Sequence, residues 1–206
     1  YAGSAVTTGS QNTLIGALAG DALTAGTFNT VVGYAALSAD LKGLNNTAIG
    51  YQALNAQQFG GSTNVYNTAV GHNAGTAVTT GIENTLIGAL AGDSLTDADY
   101  NVAIGINALG YDQLGSRSVA IGRSALATQR FTTATESHNV AIGYSAGSSS
   151  TTATDNTLVG YNAGGAVTTG VQNTIMGSLA GDALLTGENN TAVGNNAGNE
   201  ITTGNQ

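Results

Sequence analysis

The sequence predicts an all-β fold, a parallel β-solenoid or β-roll built from coils of about 17 residues. Three observations predict it. A motif of the form N-T-x-[IV]-G recurs along the whole chain. The same glycine and the same alanine return in every copy. The residues just after the asparagine have the β-branched character of a short strand. With its first residue as position 0, the motif begins at Asn12, Asn29, Asn46, Asn67, Asn84, Asn101, Ser118, Asn139, Asn156, Asn173 and Asn190. The intervals are 17 residues, except for two of 21, which mark a four-residue insertion made twice. The register continues past both ends. Residues 1–206 are therefore expected to form one repetitive segment of about 12 coils, cut mid-repeat at each end.

Each position has a physical reading. Successive coils stack about 4.8 Å apart, so identical asparagines at position 0 can hydrogen-bond to one another as a ladder, with Ser118 as the one break. Positions +1 to +3 form the strand. Position +1 is Thr or Val, and +3 is Ile, Val or Met. Position +2 is never polar. A strand apolar on both faces is buried on both. One face can fill the coil. The other needs a cover, and a second copy of the chain is the simplest one. Position +4 is Gly in all eleven copies, as a corner with positive φ requires. Position +7 is always Ala, which leaves room for a methyl group and no more, and +8 is Gly or Leu. The shaft should be roughly 55–60 Å long. Each coil touches only its neighbours, as in other solenoids.

Composition narrows the function. Charged residues are 8% of the chain and apolar residues 41%, which is not the pattern of a disordered segment. The only basic side chains are Lys42, Arg117, Arg123 and Arg130, on a net charge of −8. A nucleic-acid groove needs clustered cations, so no nucleic-acid partner is expected, nor an anionic lipid surface. There is no cysteine for a disulfide framework and no apolar run long enough to insert in a membrane.

The segments NTAIGYQALNA, NVAIGYSAG, NTLVGYNAGGAVTTG and SVAIGRSALA resemble the head repeats of trimeric autotransporter adhesins of the YadA type, and the shaft repeats of bacteriophage tail fibres. The resemblance covers essentially the whole chain. It implies a left-handed parallel β-roll packed as a homotrimer, in an extracellular fibre (a virion tail fibre or a bacterial surface adhesin) that attaches to cells or surfaces. The 17-residue period departs from the shorter coil of the adhesins and favours the tail-fibre branch. A self-assembling extracellular filament is the nearest alternative.

Candidate contacts for a host-cell glycan or protein come from loops on the scaffold. The insertions, residues 57–66 and 128–138, carry Gln57-Gln58-Phe59 and Gln129-Arg130-Phe131 at matching places. Phe59, Phe131 and Arg130 are candidates to project as repeated knobs, or else the two Phe plug gaps. Tyr34, Tyr51, Tyr144 and Tyr161 share position +5 and could stack on sugars. His72 shares that position and lies far from His138, so no metal site or cofactor is expected. Asp21, Asp93 and Asp182 at +9 lie four and five coils apart, too far for paired-carboxylate catalysis and suited to capping turns. No nucleophile–His–acid set is present, so no enzyme is expected, which disfavours a tailspike-like polysaccharide hydrolase. An ice-binding solenoid would need an outward threonine plane. The pairs Thr7-Thr8, Thr79-Thr80, Thr168-Thr169 and Thr202-Thr203 are too scattered for one. The +1 threonines share a face with +3 and are expected to point inward.

Overall fold

The computed structural model describes residues 1–204. These residues form an all-β parallel solenoid with no helix among them. Eleven three-residue strands, from Thr13–Ile15 to Thr191–Val193, form a single sheet in chain order. Pairing is parallel and in register, so that Thr13 lies on Thr30, Leu14 on Val31 and Ile15 on Val32, and so on up the stack. Two further two-stranded ladders, Gly43–Leu44 with Thr63–Asn64 and Gly115–Ser116 with Thr135–Glu136, mark the two coils that carry insertions.

Four backbone corners per coil have positive φ. Position +4 is the most restrictive: its glycines have φ from 122° to 145°, a region closed to L side chains. A Cβ on Gly88 would also lie 2.6 Å from the carbonyl oxygen of Gly105 in the next coil. Gly is thus required twice over, by conformation and by stacking. Positions −1 and +6 are left-handed in every coil whatever residue they carry. Position +8 is left-handed too. There Leu37, Leu54, Leu109 and Leu126 take φ of 46° to 53°, where Gly would be unstrained.

The interior explains those leucines. Side chains at 0, +2, +7, +8 and +11 point inward, and the core is a column of Ala, Leu and Val with the asparagines along one wall. In most coils bulk at +2 trades against bulk at +8, and Val31 with Leu37 is the pair in which both are large. Leu14, Leu86, Leu158 and Ile175 face Gly20, Gly92, Gly164 and Gly181 in their own coils, whereas Ala48, Ala103 and Ala120 go with Leu54, Leu109 and Leu126. Where both are small, as at Ala69 and Gly75, Leu54 and Leu86 reach in from the coils on either side. A core packed without voids has this form.

The asparagine ladder is formed. Each Oδ1 accepts the next asparagine's backbone N–H, as from Asn46 to Asn29 at 2.9 Å. Nδ2 donates to the carbonyl 14 residues on, as from Asn29 to Gly43 at 3.0 Å, except at Asn46 in the inserted coil, whose Nδ2 donates to Asn29 Oδ1 at 3.1 Å. These buried amides satisfy one another. At the break, Ser118 Oγ lies 2.7 Å from Ser137 Oγ, and Ser137 donates to the Ser116 carbonyl.

One expectation is reversed. The +2 side chains are the ones inside, and the +1 and +3 ranks face outward. The size compensation between +2 and +8 goes with this orientation, since +2 is Ala wherever +8 is Leu, except at Val31, whereas +3 is large in every coil. Ile15, Ile49, Ile87, Ile142, Met176 and Val193 are exposed on this outer face. The +1 residues beside them are exposed or half-buried.

Candidate binding site

The insertions are organised from within. Position +11 points into the core and is Leu, Val, Ile or Ser in coils unconnected with an insertion. In the coil before each insertion it is Asp40 or Asp112, and in the inserted coil it is Gln57 or Gln129. All four are fully buried. Asp40 Oδ1 accepts the backbone N–H of Gly43 at 3.1 Å and of Phe59 at 3.1 Å, while its Oδ2 accepts Gln57 Nε2 at 2.7 Å. Gln57 Oε1 in turn accepts Asn67 Nδ2 at 2.9 Å, joining the asparagine ladder. The second insertion repeats the arrangement through Asp112, Gln129, Phe131 and Asn139. Each carboxylate thus supplies the acceptors that a wider coil's turn of backbone lacks. Burial pushes the Asp112 carboxyl above the ordinary range, against the hydrogen bonds from Gln129, Phe131, Gly115 and Gln113.

This places the expected contact residues. Gln57 and Gln129 are internal. Phe131 is 6% exposed and packs against Gly115, so it plugs the widened coil instead of projecting from it. Phe59 is half-buried. The exposed residues of the insertions are Gln58, Gly60–Ser62, Asn64 and Tyr66 in the first, and Thr128, Arg130, Thr132–Ala134, Glu136 and His138 in the second.

The +5 tyrosines form ladders of their own. Tyr34 stacks on Tyr51 at 5.4 Å between centroids, and Tyr51 stacks on His72 at 5.2 Å. Tyr144 stacks on Tyr161 at 5.5 Å, with the Arg123 guanidinium 5.8 Å over Tyr144. Most ring faces are taken by neighbouring rungs, which leaves edges for a partner and few faces for a sugar. The Asp93 Oδ1 is buried without a donor, and burial pushes its carboxyl up, against a hydrogen bond from its own backbone N–H.

Two hollows flank the second insertion. One, of about 300 Å³, is lined by Asp97, Asp99, Tyr100, Ser116, Arg117 and residues 134–136. Its charges are largely engaged: Arg117 pairs with Glu136 at 3.1 Å and lies 4.9 Å over Tyr100, and Asp97 accepts the Thr80 hydroxyl. The other, of about 360 Å³, is lined by Tyr111, Thr128, Arg130 and Thr151 and is mainly apolar. Tyr111, which the sequence reading passed over, is 59% exposed. Its position, +10, is Ala in most other coils, and that contrast is the sign that could have found it. The chain matches no family model, no curated protein and no solved structure.

Proposed function

We propose that the chain is a non-catalytic structural shaft that associates with copies of itself, as a trimer, into an extracellular attachment fibre of the tail-fibre or surface-adhesin kind. The observation that carries this reading is the outer strand face. It presents in-register ranks of Thr or Val at +1 and Ile, Val or Met at +3, with no charge in either rank, over roughly 50 Å. An exposed uncharged β-branched surface of this length is what a second copy covers best. Native light scattering tests the reading. A mass near three times 20.2 kDa is the expected result, and a stable monomer would overturn it.

A second reading rests on the outward +1 rank. Eight of its eleven members are Thr, with about 4.8 Å between rungs. Such a plane suits ordered water, as in an ice-binding solenoid. Outside this rank, Thr24, Thr79, Thr96, Thr151 and Thr168 each donate the hydroxyl to the carbonyl of the coil above. Thermal hysteresis from a monomer would favour this reading over the fibre.

A further inference from the structure

We propose that the hollow beside the second insertion binds an acidic saccharide, with a sugar ring on Tyr111 and the sugar carboxylate on Arg130. The proposal rests on the attachment-fibre reading and names the ligand class of one site on it.

The two insertions serve as an internal control, because they share a backbone and lie 72 residues apart. The residues that line the hollow, Tyr111, Thr128, Arg130 and Thr151, correspond to Ala39, Ala56, Gln58 and Thr79 in the first. One copy has therefore acquired an aromatic ring and a cation together, on either side of one hollow, where the other has a methyl group and an amide. Stacking of the solenoid requires neither change, since the first insertion is built without them.

The ring and the guanidinium are open to a ligand, and the two threonine hydroxyls can still accept from one. Tyr111 has Ser94 and Thr128 at the same position on adjacent coils, and no ring or guanidinium stacks on it among the described residues. Arg130 is exposed and has no carboxylate partner among the described residues, unlike Arg117. Its backbone N–H donates to the Thr151 carbonyl at 2.8 Å, which fixes it at the rim. The Thr128 hydroxyl donates to the Ser148 carbonyl at 2.6 Å, and the Thr151 hydroxyl to that of Thr168 at 3.0 Å. Both oxygens keep lone pairs to accept sugar hydroxyls. A guanidinium takes a carboxylate through two parallel hydrogen bonds, and a tyrosine face takes the apolar side of a sugar ring. The volume is that of a small ligand site.

The test is an NMR titration of the labelled chain with the methyl glycosides of glucuronic, galacturonic and N-acetylneuraminic acids, and with methyl glucoside as the neutral probe. Expected are shifts confined to Tyr111, Thr128, Arg130 and Thr151 with at least one acidic probe, and binding about tenfold weaker for the glucoside. Arg130→Gln and Tyr111→Ala should each weaken binding about tenfold or more, with Arg123→Gln as the unchanged control. The double substitution Ala39→Tyr with Gln58→Arg should create a second site and double the stoichiometry. No shift at these residues with any acidic probe, or unchanged binding in Arg130→Gln, overturns the proposal. An oligomer that binds no acidic sugar sinks the site and spares the fibre. A monomer that binds one does the reverse.

Discussion

Gln129 donates from Nε2 to Asp112 Oδ2 at 2.6 Å with both side chains fully buried, and Gln57 meets Asp40 in the same way at 2.7 Å. The donor order along this relay is fixed. Asn139 Nδ2 donates to Gln129 Oε1, and Asn139 Oδ1 accepts from Asn156, so no amide in the chain can be turned over without a clash of like groups. Replacing Gln129 by Leu leaves a buried carboxylate oxygen and a buried amide each short of a partner. The expected loss is about 2–4 kcal/mol in chemical unfolding. Asp112→Leu with Gln129→Ile copies the apolar pair Leu184 and Ile201 found where no insertion occurs. If the carboxylate serves the insertion's N–H groups, this double variant should remain destabilised. Full recovery would show that the carboxylate does nothing for the insertion.

Gly88 gives a second test. Gly88→Ala forces an L residue to φ of 132° and sets its Cβ 2.6 Å from the Gly105 oxygen. A loss of about 3 kcal/mol or more is expected in a denaturant melt, with both strain and stacking contributing. Gly60→Ala is the control, because nothing lies within 4 Å of a Cβ there. Equal effects at the two sites would remove the argument for the +4 corner.

Much of this architecture is legible in the sequence, and the part that is not has a physical cause. The period, the Gly corner, the buried Ala and the asparagine ladder follow from residues that are the same in nearly every coil. Orientation of the strand does not, because Thr, Val and Ile at +1 and +3 and apolar residues at +2 satisfy a strand rule on either face. What resolves it is the trade of size between Leu86 and Gly92, or Ala103 and Leu109, a relation between positions that a column-by-column reading misses. Likewise Asp40 and Gln57 read as surface polar residues until their recurrence as Asp112 and Gln129, at a position otherwise mostly apolar, marks them as internal. Arg130 was visible in the sequence as an insertion residue. Its partner Tyr111 lies in the preceding coil, and only the stacking brings the two to one hollow.

Ser150 supplies a gain in stability. It occupies the +11 core position, and its Oγ is buried with no hydrogen-bond partner. Its counterpart in the preceding unit is Val78, set among Leu54, Leu86 and Gln57 where Ser150 has Leu126, Leu158 and Gln129. Ser150→Val should stabilise by about 1 kcal/mol, since it removes an unsatisfied hydroxyl and adds buried methyl groups. A destabilised variant in thermal or chemical melts would mean that the second unit is packed more tightly than the first.

The carboxylates predict the response to acid. Burial raises Asp93, Asp99 and Asp112, with Asp97 adding to the effect at Asp99. A carboxyl whose folded value lies above its unfolded value binds its proton more tightly in the native state. Its ionisation therefore works against folding above the raised value, and that penalty is relieved as pH falls toward the ordinary carboxylate range. Protonation also reduces the self-repulsion of a chain with net charge −8. Thermal stability should hold level or rise between pH 7 and about pH 5, the opposite of a protein held by ionised carboxylate pairs. A midpoint that falls over this range would show that the donors around Asp112 outweigh its burial, and that the relay depends on its charge.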